Sequence, residues 1–322
     1  MQLGELVDVL ALHPEIDVLA KELSKKSEKH FLLINLHASA QSIMLYALMR
    51  RLGDEAMRRE ARVWVIVLDN ADEAQYMYAD LRSLTGDNGV YFFPSSHRRR
   101  QGMDEAMTVQ RTEVLTALVG ERREARGERQ VVIVTYPEAL NESVPAPHSL
   151  QQQTIPLATE QEIAQSALIQ QLVGMQFQRV DFVYEPGQFA VRGGIVDVFS
   201  FAHESPYRVD FFGDEIDSIR EFDIETQLSR DRITSIQIVG HQNQQTEEAL
   251  LLHYLPENTI WASNDFALVH YKCTDERLKT LGQNARTIEL AQKSSFDTYD
   301  TIAFDTMPQP SFNKNFDLLI DD

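Results

Sequence analysis

Arg192, Arg208 and Phe212 are the side chains in this sequence best placed to act on another molecule, and their chemistry is recognition, not bond breaking. Successive side chains of a strand point to opposite faces, so in Tyr207–Phe212 the residues Val209 and Phe211 share one face and Arg208, Asp210 and Phe212 the other. Gly213 and Asp214 read as a two-residue hairpin turn, with Ile216 and Ile219 continuing the apolar content on the return strand. This parity puts Phe212 in water beside Arg208; the competing reading is a twisted hairpin that turns Phe212 into the core. Upstream, Arg192 precedes the pair Gly193-Gly194, where a bulge or close backbone approach aims it outward. Arginine and aromatic residues of this kind dominate protein interfaces, the cation pairing with acidic groups and the ring serving as an anchor.

Catalytic constellations fail in turn. There is no G-x-S-x-G, no G-x-G-x-x-G and no H-E-x-x-H, and the nine histidines are scattered singly. Glu185, Asp197 and Asp210 read as surface carboxylates on alternating strands, with nothing to raise a pKa. The stretches 260–265 and 318–322 are apolar runs ending in acid and read as strand ends. One cysteine, Cys273, excludes an intramolecular disulfide and a Cys-rich metal site and suits a reducing cytosol, so the expected location is cytoplasmic. No metal and no cofactor are expected. With 49 acidic against 30 basic residues, the net charge of -19 repels a nucleic-acid backbone. Arg98, Arg99, Arg100, Arg122, Arg123, Arg126 and Arg129 are interleaved with Asp104, Glu105, Glu113, Glu121, Glu124 and Glu128, and read as a solvated helix face and loop. The first residues are an acidic amphipathic helical pattern broken at Pro14, without a signal peptide's basic flank, and no window reaches membrane-spanning length.

The elements that must position these residues follow from periodicity. Strands are predicted at 31–36, 62–69, 90–93 and 131–135, alternating with helices at 39–52, 71–84 and 103–119. Strands apolar on both faces and alternating with helices imply a parallel sheet covered on both sides. The stretch 141–156, with Pro145, Pro147, Pro156 and three successive glutamines, reads as a domain boundary. Thr159 and Glu162 read as a capping box opening a helix that ends near Gly174. A β-rich segment follows, then a polar second linker at 241–246 and a return to mixed α/β from Leu250. The expected divisions are 1–145, 150–240 and 241–322.

The quoted stretches YEPGQFAVRGGIVDVF and PYRVDFFGDEIDSIR resemble the second domain shared by the excision-repair protein UvrB and the transcription-repair coupling factors. The resemblance runs from about Phe31 onward and is strongest over 184–230. It implies an α/β multidomain fold: a degenerate P-loop (RecA-like) parallel α/β domain, completed by the C-terminal segment, with an inserted β-rich α+β domain that binds UvrA. It puts Arg192, Arg208 and Phe212 at the UvrA-binding positions. It also places Asn35 to Ser42 where a phosphate loop, G-x-x-x-x-G-K-[ST], would lie. Only Ser42 survives there, with Asn35 and Ala40 in place of the glycines and Gln41 in place of the lysine. An alanine at positive φ costs about 1 to 2 kcal/mol. Each charge-assisted bond lost with the lysine removes about 1.5 to 3 kcal/mol. Together they outweigh a residual helix N-terminus attraction of under about 1 kcal/mol. His37 in this loop reads as a structural histidine.

Where UvrB inserts a tyrosine-rich DNA-gripping hairpin, the sequence reads PSSHRRRQGMDE, without the repeated aromatics of a stacking platform. Both departures point to the coupling factors over UvrB. The chain stops just after an apolar stretch at 315–322, which reads as a piece cut from a longer protein. The resemblance places an ATP-dependent DNA-translocating motor, the module that grips RNA polymerase and a C-terminal domain downstream, so DNA and polymerase are engaged only through those parts. The expectation is a non-catalytic adaptor that recruits UvrA in transcription-coupled nucleotide excision repair. The alternatives are a DNA-repair helicase fragment that retains ATP or DNA binding, and a scaffold that braces the motor.

Overall fold

The computed structural model describes residues 3–25, 28–53, 62–86, 89–98, 102–103, 105–119, 130–240, 247–281 and 285–306. Valine- and isoleucine-rich runs such as Arg62–Val67 and Gln130–Thr135 are buried along nearly their whole length, as strands covered on both faces must be. They lie in a seven-stranded sheet in the order Asp300–Ala303, Lys29–Ile34, Arg286–Leu290, Ile260–Ser263, Arg62–Val67, Gln130–Thr135, Val90–Phe92. Every pairing in it is parallel. Arg286–Leu290 and Ile260–Ser263 sit between Lys29–Ile34 and Arg62–Val67, so the centre of the sheet is supplied by chain from beyond residue 259.

The expected helices occur at Ala40–Gly53, Ala71–Thr85 and Glu105–Val119. The second is bounded by local chemistry: Asn70 Oδ1 accepts from Glu73 N at 3.1 Å, and Gly86 closes the other end in the left-handed region at φ 67°. No helix among the described residues is long and apolar enough to cross a membrane.

The other large sheet has six strands in the order Ser229–Ile233, Glu215–Phe222, Tyr207–Phe212, Ile195–Val198, Gln188–Arg192, Gln178–Arg179. Neighbours are antiparallel except the last pair. Leu168 and Leu172 of helix Gln165–Gly174 share its core with Phe189, Val196, Val198, Tyr207 and Val209. Chain enters and leaves this unit as paired ribbons, Thr154–Ala158 against Ser235–Val239 and Val144–Pro145 against Glu248–Ala249. The proline- and glutamine-rich stretch is therefore paired structure; the polar stretch 241–246 lies outside the described residues.

The capping box does not form. Thr159 Oγ1 donates to Thr234 O at 3.4 Å, and the helix begins only at Gln165. Residues 160–163 instead bond to the hairpin 207–222: Glu160 N–H donates to Ile216 O and Ile163 N–H to Asp214 O, both at 2.8 Å, with Glu160 at φ 65°. Backbone pairing with a distant strand overrides the local signal.

Candidate docking face

Two glycine turns shape one end of the six-stranded sheet. Arg192 pairs with Ile195 across Gly193, at φ 60°, and Phe212 pairs with Glu215 across Gly213, at φ 67°. Phe211 N–H donates to Gly194 O at 2.8 Å, and a Cβ on Gly194 would come within 3.0 Å of Phe211 O. The glycine pair thus makes a tight turn with a close backbone approach. A register shift falls instead where Asp210 pairs with Ser218 and Phe211 with Ile216, leaving Asp217 over. That extra residue lets Ile216 and Ile219, at a spacing that would otherwise split them between faces, both be buried in one core.

The face opposite this core carries the candidate site. Lateral pairing puts Ala190, Asp197, Arg208, Arg220 and Arg232 in one row across five strands. Asp197 is 1% exposed and lies at its centre. Arg208 donates to it in a fork, Nε to Oδ1 at 2.8 Å and Nη2 to Oδ2 at 3.0 Å, and Arg192 Nη2 also donates to Oδ2. Arg208 Nη1 lies 3.2 Å from Gln227 O and 3.3 Å from Ser229 Oγ, and the guanidinium sits 4.7 Å over the Phe222 ring. The hydrogen bonds to Asp197 hold the Arg208 guanidinium above its ordinary pKa, against the effect of burial. Arg220 pairs with Asp210, which also accepts from Ser218 Oγ at 2.9 Å.

The three expected contact residues are thus brought to one sheet but not to one kind of exposure. Phe212 is 81% exposed, which decides against the core alternative. The Arg192 side chain is 39% exposed, its guanidinium 5.2 Å from the centre of the half-exposed Phe182 ring. The Arg208 side chain is only 15% exposed. The expectation of an open cation there is corrected, because Asp197 draws it inward. Asp197, expected at the surface, is among the most buried charged groups described. Sequence reading missed Asp197 and Phe182; the available signal was one aspartate interrupting the apolar run 195–199 on the face of Arg208.

The loop after Lys29–Ile34 has its own geometry. Positive φ occurs at Asn35, 61°, and Ala38, 46°, whereas Ala40, expected to carry that strain, opens the helix. Ala40 N–H and Gln41 N–H already donate to His37 O and Ala38 O, at 3.0 and 3.1 Å. The buried Ser42 Oγ lies 2.8 Å from Asp80 Oδ2 and 2.9 Å from Ser39 O. Thr306 crosses the loop, its hydroxyl bonded to Asn35 O and 3.2 Å from His37 Nδ1. Asp265, after Ile260–Ser263, accepts from Leu268 N at 2.9 Å as a helix cap. No group of three or more His, Cys, Asp or Glu among the described residues could hold a metal. Arg99, Arg100, Arg122, Arg123, Arg126, Arg129 and the stretch 318–322 lie outside the described residues.

Residues 155–243, which include the whole docking face, match the family described as UvrB interaction domain. This stretch is similar to UvrB interaction domains. The chain that carries it is a relative of the transcription-repair-coupling factors: it is 28% identical to that of Bacillus subtilis (strain 168) over 213 residues, 65% of this chain and 17% of that protein. To the Escherichia coli (strain K12) factor it is 36% identical over 106 residues, 33% of this chain and 9% of the other. To one from Staphylococcus epidermidis it is 28% identical over 187 residues, 57% of this chain and 15% of the other. The chain spans less than a fifth of the length of these relatives. All the residues of the Asp197 cluster, Arg192, Arg208, Phe182 and Phe222, lie within the matched residues.

Proposed function

We propose that this chain is the adaptor part of a transcription-repair coupling factor and recruits UvrA in transcription-coupled nucleotide excision repair. The observation that carries this reading is Phe212, an aromatic ring 81% exposed at the hairpin tip of the strand that carries Arg208, within the residues that match the UvrB interaction domain. A large ring held in water on a rigid turn has no use in folding and is suited to anchor a partner. Arg192 pairs with a carboxylate on UvrA, Phe212 packs into it, and Arg208 supports Arg192 through their shared partner Asp197.

Residues 150–240 form the docking domain, and 1–145 with 241–322 form a RecA-like domain whose phosphate loop is degenerate at Asn35, Ala40 and Gln41. Supporting this, the helix-start N–H groups that would meet a phosphate are bonded within the loop, and Ser42 faces Asp80. The chain is then not an enzyme and needs no cofactor. ATP-driven DNA translocation, contact with RNA polymerase and displacement of a stalled polymerase belong to other parts of the parent protein, which works in the cytoplasm.

The test is binding of purified UvrA to this chain by calorimetry, wild type against Phe212→Ala and Arg192→Ala. Truncating an anchor of this kind costs about 2 kcal/mol, roughly thirtyfold in affinity. Unchanged affinity in both folded variants would move the reading to a scaffold that only braces the motor. Micromolar binding of Mg-ATP to the wild type would instead favour a fragment that retains nucleotide binding.

A further inference from the structure

We infer that Asp197 is the positioning residue of the docking face, and that the cation it presents to an acidic partner surface is Arg192 stacked on Phe182, with Phe182 itself a contact residue. This rests on the docking role proposed above. Asp197 is 1% exposed and receives hydrogen bonds from two arginines, Arg208 in a fork and Arg192 through one Nη. The trio carries one net positive charge, so the centre of the row is cationic although the protein carries -19.

The two arginines are not equivalent. Arg208 donates through Nε, Nη1 and Nη2 to Asp197, Gln227 and Ser229 and lies over Phe222, so little of its fork remains for a visitor. Arg192 shows one hydrogen bond, from Nη2, and its side chain is 39% exposed. Its guanidinium plane is held from below by Asp197 and from the side by the Phe182 ring at 5.2 Å. A long side chain held at two points loses little further freedom when a carboxylate binds its open edge, which is how preorganisation raises affinity. Phe182 is 46% exposed, so its outer face is open to a partner beside the Arg192 guanidinium. Removing the Asp197 charge has two opposed effects. It frees a unit of positive charge, which salt screens at an exposed site. It also releases Arg192 and Arg208 from a shared anchor and sets two like charges against each other, and this second effect dominates.

The experiment measures UvrA affinity for Asp197→Asn, Phe182→Ala, Arg192→Ala and the Asp197→Asn/Arg192→Ala double variant, with Phe212→Ala as the control for the docking reading. Asn keeps the shape and one acceptor, and hydrogen exchange of 188–222 reports whether each variant is folded. Expected are roughly tenfold weaker binding for Asp197→Asn and for Phe182→Ala, and almost no further loss when Asp197→Asn is added to Arg192→Ala. The Arg208 Nε–H, bonded to Asp197 Oδ1, should give a sharp resonance in the wild type that broadens in Asp197→Asn, a change that general loosening of the core would not confine to this side chain. Should Asp197→Asn not fold, Phe182→Ala and the Arg208 resonance in the wild type carry the test. Unchanged or tighter binding by folded Asp197→Asn, or unchanged binding by Phe182→Ala, overturns the inference while Phe212→Ala still loses affinity. If Phe212→Ala and Arg192→Ala both bind normally, it is the docking reading that fails.

Discussion

Reversing the charge at Arg208 is the obvious way to test the docking face, and the structure predicts that Arg208→Glu fails mainly by weakening the fold. The substitution removes the fork on Asp197 and the contacts to Gln227 O and Ser229 Oγ. It also sets a second carboxylate against one that is 1% exposed. Breaking a buried ion pair from one side costs about 3 to 5 kcal/mol where the remaining charge is left alone, and Asp197 keeps its bond from Arg192, which puts this loss at the lower end. The Arg208 side chain is 15% exposed, so little of this is recovered by solvent. A loss of about 3 kcal/mol is a large share of the about 5 to 15 kcal/mol that stabilises a typical domain.

Trp64 and Trp261 both sit in the parallel sheet, so their fluorescence reports the wrong unit. The assay is urea unfolding by circular dichroism, with hydrogen exchange of the 188–222 peptides. A wild-type midpoint and wild-type protection in Arg208→Glu would refute the argument that Asp197 and Arg208 hold the sheet together.

Phe212→Ala should leave the urea midpoint within about 0.5 kcal/mol of wild type, since the ring is exposed and touches no core, making it the cleaner probe of binding. Glu142 offers a pH test: burial alone would raise its carboxyl, but hydrogen bonds from Ser95 and Ser96 and the Arg111 charge hold it below its usual 4.5. A depressed carboxylate stabilises fully above its unfolded value and loses that contribution as pH falls through the folded one. Glu142→Gln should therefore be about 1 to 3 kcal/mol less stable at pH 7, with the gap closing below about pH 4, as read from thermal midpoints. Gly213→Ala should cost only the roughly 1 to 2 kcal/mol of positive φ, because no atom lies within 4 Å of its new Cβ. Gly89→Ala should cost clearly more, since its Cβ would meet Gln130 O at 2.7 Å, and equal thermal midpoints for the two would sink the comparison.

Much of the parallel sheet was legible because its signals are local. Runs such as 62–67 and 131–135 are apolar on both faces, and helical runs such as 71–84 alternate with them. The hairpin turn at Gly213 was legible for the same reason, a backbone that only glycine adopts without strain. The capping pair Thr159 and Glu162 misled because a local hydrogen bond competes with any backbone partner that folding brings near, here Asp214 and Ile216.

By itself the sequence determined the strand parity that separates Val209 from Arg208, the glycine turn at Gly213, and the lack of a G-x-x-x-x-G-K-[ST] motif. Those depend on side-chain alternation and on which residue types stand where, both readable one neighbour at a time. Only the tertiary structure decided that residues beyond 259 fill the middle of the parallel sheet, and that Asp197 is an interior anchor instead of a surface charge. Lateral strand order and the burial of a carboxylate depend on partners far along the chain. Arg208 and Arg192 lie 11 and 5 residues from Asp197, yet it is the pairing of three strands that puts them on one oxygen pair.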